Sequence, residues 1–111
     1  MPTKPTKSIE TLESAYRDVA IMAANLYTEV GKVAAKRPES GISELTLLRT
    51  NVAITSVKEL LRDESDPFID QIGLFVPAGD LPEYRDAGLV LSELTAALER
   101  MRVRHGWFRL R

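Results

Sequence analysis

The sequence predicts an all-α protein, an antiparallel helical bundle of three long helices plus one short helix. Three observations lead there. Two long segments repeat apolar residues in steps of three and four, a third is apolar around most of its girth, and no segment alternates apolar and polar residues as a half-buried strand would. A chain of 111 residues, 44% hydrophobic and 28% charged, suits one folded domain. The expected organisation is a single helical-bundle domain over 1–111, with a flexible leader at 1–7 and a basic, aromatic C-terminal tail at 106–111.

The first helix is expected from about Ser8 to Lys36. Ile9, Leu12, Tyr16, Val19, Ala23, Leu26, Val30 and Val33 keep one apolar seam on one face for about four heptads. Ser8 suits the N-cap, Glu10 and Glu13 the positive end, and Lys32, Lys36 and Arg37 the negative end. Pro38 disfavours helix at Arg37 and stops the run. The second helix is expected over about Ile42–Arg62. Leu45, Leu47, Leu48, Val52, Ala53, Ile54, Val57, Leu60 and Leu61 wrap most of its circumference and leave a polar sector of Glu44, Asn51, Thr55, Lys58 and Arg62. Such a helix is expected to be central, with neighbours on two or three sides.

Asp66-Pro67 reads as an N-cap followed by proline at the first helical position, opening a short helix from Pro67 to Ile72 that ends at Gly73, with Leu74 folded back on Ile69. Phe75 to Gly79 is expected to be extended and then turned. The last long helix is expected from Asp80 or Leu81 to about His105, with Glu83 placed for a capping box and Gly106 closing it. Its seam is Tyr84, Ala87, Leu91, Leu94, Leu98, Met101 and His105. The short 37–41 loop makes the first two helices antiparallel. Ile21 and Leu89 fall outside the seams, as members of a wider buried stripe, scattered surface apolars or a homodimer surface.

The absence of cysteine excludes disulfides, thiolate metal sites and cysteine nucleophiles. No apolar run approaches the roughly 18 residues of a membrane span, and the first residues lack a signal-peptide apolar core, so a cytoplasmic location is expected. The net charge of −1 is unevenly distributed. Five arginines, Arg100, Arg102, Arg104, Arg109 and Arg111, fall in the last twelve residues with no acid after Glu99, so the tail carries +5 and the body −6. Trp107 and Phe108 interleave with them.

These arginines can complement the negative end of the last helix, or meet an anionic partner such as nucleic acid, an acidic protein or a lipid head group at a peripheral membrane contact. Trp107 and Phe108 suit base stacking or a membrane interface, and equally suit folding back on the bundle. The acidic body disfavours a large nucleic-acid surface. The candidate partner-binding set is therefore Arg100, Arg102, Arg104, His105, Trp107, Phe108, Arg109 and Arg111.

Chemistry-bearing motifs are sparse. The acidic cluster Asp63, Glu64, Asp66 and Asp70 lacks calcium-loop spacing and reads first as a solvated turn. The six glycines form no phosphate cradle, and no cofactor or metal is expected. Arg49, on an apolar flank of the second helix, calls for a carboxylate or carbonyl partner, or for a stem laid along the surface with its head in water. Arg100 and His105, the single histidine, form Arg-x-x-x-x-His. This resembles the signature of HEPN-type ribonucleases, which implies an Arg on phosphate and a His moving a proton or orienting the 2′-hydroxyl. Such enzymes usually have a polar residue directly after the Arg, where this chain has Met101. The bland alternative has His105 capping the apolar seam and helping to satisfy C-terminal carbonyls.

A second resemblance spans roughly residues 20–100. Leu26-Tyr27-Thr28-Glu29-Val30, the leucine-rich second helix and Asp66-Pro67-Phe68-Ile69-Asp70-Gln71-Ile72 look like the immunity proteins of pediocin-like bacteriocins, of the enterocin A type. That resemblance implies a cytosolic four-helix bundle without enzymatic activity. It also implies action on a bacteriocin-bound membrane sugar-transport receptor, with specificity in the C-terminal half, here Asp80 to Arg111. The acidic body and a short connection before the last helix depart from that pattern. The expected function is thus a non-enzymatic helical-bundle protein acting by protein–protein interaction. The alternatives are a HEPN-like ribonuclease using Arg100 and His105, or a small nucleic-acid-binding accessory protein.

Overall fold

The computed structural model describes residues 9–75 and 81–108. The leader, the Ser8 cap, residues 76–80, and Arg109 and Arg111 lie outside the described residues. The described residues are all-helical, with three α-helices among them: α1 (Ile9–Lys36), α2 (Glu44–Leu60) and α3 (Tyr84–His105). The expected short helix over Pro67–Ile72 is instead a single 3-10 turn, Ile69–Gln71. Only the Ile69 side chain is buried there, too little apolar surface to hold further turns.

Local chemistry sets the boundaries. Ser43 caps α2 by accepting the Thr46 amide at 3.0 Å, so the helix starts two residues later than expected. The start of α3 is later too. Glu83 is its N-cap, and the carboxylate of Asp86 at N3 accepts the Glu83 amide at 3.0 Å in a capping box. The residues leading into α3 are held by the 37–43 connection. Pro82 O accepts from Ile42 N–H at 2.9 Å, Ser40 O from Tyr84 N–H at 2.8 Å, and Pro38 O from Arg85 N–H at 3.0 Å, around an antiparallel bridge between Gly41 and Glu83. Backbone that would have carried an earlier helical start is committed to this pairing.

Each α-helix packs on the other two, most broadly α1 on α3. Tyr16, Ala20, Ala23, Leu26 and Val30 of α1 face Ala87, Leu91, Leu94, Ala97, Leu98 and Met101 of α3, while Leu47, Ala53, Ile54 and Val57 of α2 close the same core. A methyl placed on Gly88 would lie 3.9 Å from Val30 Cγ1, and at the opposite end of α1 the Tyr16 ring sits 5.1 Å from that of Trp107. Thr50, fully buried in α2, stays satisfied because its hydroxyl donates to Thr46 O at 2.8 Å.

One expectation needs correction. Leu74 does not fold back on Ile69 but stands exposed. The segment containing it is tied to α2 by Asn51, whose amide donates to Phe75 O at 2.9 Å and accepts from Phe75 N–H at 2.8 Å. α2 has the expected neighbours on two sides, α1 and α3, and its remaining side is open: Leu45, Leu48 and Val52 are 65%, 60% and 47% exposed. Ile21 and Leu89 are exposed as well.

Leu91 is fully buried in the shared core, so Leu91→Ala is expected to lower stability by about 2–5 kcal/mol, read from the urea midpoint at unchanged slope. Asn51→Ala strips both partners from the Phe75 backbone. The expected loss is about 1–3 kcal/mol, with faster amide exchange confined to the segment around Phe75.

Candidate functional site

The basic end of α3 is assembled by its own C-cap. Gly106, at φ 71°, takes the left-handed conformation. Its amide donates to Val103 O and the Trp107 amide to Arg102 O, both at 3.1 Å. This Schellman pairing turns the chain back, so that Trp107 is buried beside Tyr16 rather than projecting from the helix. The imidazole of His105 stacks on the indole, with ring centroids 4.4 Å apart and planes at 12°. Phe108, the next residue, is 85% exposed.

The tail residues meet the acidic turn between α2 and the 3-10 segment. Arg100 binds Asp66 through two hydrogen bonds, Nε to Oδ2 at 2.9 Å and Nη2 to Oδ1 at 3.0 Å, and its guanidinium lies 5.2 Å from the centre of the Phe68 ring. The Asp66 side chain is only 1% exposed, and the Phe68 amide also donates to it at 3.2 Å. Arg104 donates to Glu64 Oε1 at 2.8 Å, and His105 Nε2 lies 3.0 Å from Glu64 Oε2. Arg102 spans Glu99 at 2.7 Å and Trp107 O at 2.7 Å. Three of the five tail arginines are therefore committed to carboxylates of the chain itself.

These pairs set the ionisation of the turn. The Arg100 hydrogen bonds hold the Asp66 carboxyl below its ordinary range against the opposing effect of burial. Burial pushes Glu64 the other way, but hydrogen bonds from His105 and Arg104 outweigh it and leave that carboxyl lowered too. Arg100 and His105 thus share the turn yet reach different carboxylates, so each functional group of the Arg-x-x-x-x-His pattern faces an anion within the chain. Among the described residues, no three His, Asp or Glu side chains converge to hold a metal ion. None of the described helices is long and apolar enough to cross a membrane.

Elsewhere, Arg49 of α2 pairs with Glu29 of α1 through hydrogen bonds of 2.7 and 3.3 Å, the carboxylate partner that its position called for. The pair borders a groove of about 360 Å³ with Leu26, Val30, Val33 and Tyr84 along its floor. Among the described residues, α2 exposes Leu45, Leu48 and Val52, at positions i, i+3 and i+7.

Comparison with family models, curated proteins and solved structures gives no match to this chain.

Sequence reasoning placed the tail correctly at the end of the last helix but missed its partners. The opposite charge of body and tail was the available signal for pairing, and Glu64 and Asp66 were the carboxylates within reach. The α2 face was missed because its apolar residues were all assigned to burial. The stability contributed by Asp66 and Glu64 is complete above the ordinary carboxyl range, near pH 4, and is lost as pH falls through their lowered folded values. Asp66→Ala is expected to cost about 1–3 kcal/mol at pH 7, and to make the decline in stability below about pH 4 shallower than in wild type, both read by urea unfolding across pH.

Proposed function

We propose that the chain is a non-enzymatic recognition protein, an antiparallel helical bundle that docks on another protein chain through the exposed face of α2. The observation that carries this reading is the stripe of Leu45, Leu48 and Val52, apolar and open on a helix whose opposite side is buried in the core. An apolar stripe on one helix is a common basis for helix-to-partner docking. The antiparallel arrangement is supported by the short connection between α1 and α2, and by the contacts of α1 with opposite ends of the α3 region, Val30 near Gly88 and Tyr16 near Trp107.

The internal pairing of Arg100 with Asp66, and of His105 with Glu64, also favours recognition over catalysis. A phosphate entering there would have to displace bidentate or shared carboxylates already in place. The most specific form of the proposal, bacteriocin immunity with a membrane sugar-transport receptor as the docked protein, rests on the sequence resemblance alone.

Leu48→Glu is expected to abolish capture of partner protein by the tagged chain while leaving the far-ultraviolet dichroism unchanged, whereas Phe108→Ala retains capture. RNA cleavage that disappears in His105→Ala, or capture indifferent to Leu48→Glu, overturns the proposal.

A further inference from the structure

We propose that the groove between α1, α2 and the start of α3 binds a small organic anion, a monocarboxylate with an apolar tail. None of Leu45, Leu48 and Val52 lines it, so it is a different surface from the open face of α2. Its volume of about 360 Å³ is at the lower end of the roughly 300–1,000 Å³ of ligand pockets, which suits a small molecule. Leu26 and Val30 close its base, and the half-buried Val33 and Tyr84 leave apolar surface open to a guest.

The polar groups on the rim decide the sign of that guest. Glu29 is the one carboxylate lining the groove, and Arg49 occupies both of its oxygens, at 2.7 and 3.3 Å. The Arg49 hydrogen bonds chiefly hold the Glu29 carboxyl below its ordinary range, and Lys32 adds to this through space. Lys32 itself forms no ion pair among the described residues. Arg49 and Lys32 against Glu29 leave the rim with one net positive charge, carried by the lysine. The hydroxyls agree. The Tyr84 phenol has no hydrogen-bond partner among the described residues, and Thr46 already accepts from the Ser43 hydroxyl at 2.9 Å, so its own proton is free to give. A carboxylate, which only accepts, matches an ammonium and two hydroxyl donors above an apolar floor, whereas a cationic guest meets Lys32 with no free carboxylate to offset it.

The shape of the groove sets the strength. It is open to solvent along one side, so a guest keeps part of its surface wet, and an ion pair with an exposed lysine adds little. The dissociation constant is therefore on the order of 1 mM, and discrimination between guests comes from charge.

Backbone amide chemical shifts of the full chain, followed by nuclear magnetic resonance during titration with octanoate, octanol or octylammonium to about 10 mM, test the site, since that range spans millimolar binding. Octanoate is expected to give saturable shifts confined to residues 26–33, 46–49 and the neighbours of Tyr84, with octanol binding more weakly and octylammonium most weakly. Lys32→Glu changes the rim from one net positive charge to one net negative charge. It is expected to weaken octanoate binding about fivefold or more and to reverse its order with octylammonium. Lys32 is exposed, so this exchange leaves the bundle intact, as unchanged dichroism will show. Val33→Glu, which places a carboxylate in the groove, is expected to remove octanoate binding altogether. Octanoate shifts that do not saturate or that spread beyond the groove, three ligands that bind wild type alike, or octanoate binding indifferent to Lys32→Glu, each overturn the proposal.

Discussion

The α1–α3 seam is the contact on which every other feature of this molecule leans. It joins small residues, Ala20 and Ala23 on one helix with Ala87 and Ala97 on the other, to large ones such as Leu26, Leu91, Leu94 and Met101. Small residues let the backbones approach, and the large ones interdigitate between them, each fully buried side chain contributing about 1.5–3 kcal/mol from water exclusion. Because the seam runs from Tyr16 to Val30 of α1 and from Ala87 to Met101 of α3, it fixes where the ends of α3 come to rest. One end carries the Gly41–Glu83 bridge, and the other carries the turned tail with Trp107 against Tyr16.

Ion pairing then works at the margins of the packed core. Arg100–Asp66 and Arg104–Glu64 fasten the turn after α2 to the far end of α3, and Arg49–Glu29 ties α2 to α1. The first differs from the others because its carboxylate is almost wholly removed from water, where an unpartnered charge would be costly. The turn around residues 61–66 is held both by its own backbone hydrogen bonds, such as Glu64 N–H to Leu61 O, and by the arginines above it. The charge asymmetry suggests an anionic partner in the linear chain, yet Arg100, Arg102 and Arg104 each meet a carboxylate of the molecule itself.

Much of the architecture was legible in the chain. The three-and-four spacing located α1 and α3, and proline and glycine placed their ends: Pro38 follows the last residues of α1, and Gly106 closes α3. What was not legible depends on partners distant in sequence. The later start of α3 follows from backbone hydrogen bonds to the 37–43 connection, which no local propensity encodes. Asn51 reads as a polar-face residue, yet it clamps the backbone of Phe75, a pairing that only the folded chain brings within reach. For α2, composition could not separate Leu47 and Ile54, which are buried, from Leu45 and Leu48, which are not. All four are equally apolar, and only the positions of α1 and α3 decide between them. The candidate site was half visible for the same reason: the basic residues stood out as a block, whereas the acids that answer them are scattered through a turn.

The placement of the single tryptophan carries an optical consequence. Its indole lies between the imidazole of His105 and the phenol of Tyr16, joining the last turn of one helix to the first turns of another. Few chromophores are so placed that one emission band follows a single tertiary contact. Any event that lifts the end of α3 from α1 exposes this indole to water and separates it from the Tyr16 ring, while His105 travels with it. The wavelength and yield of its fluorescence therefore register the docking of that terminus directly, without an attached label.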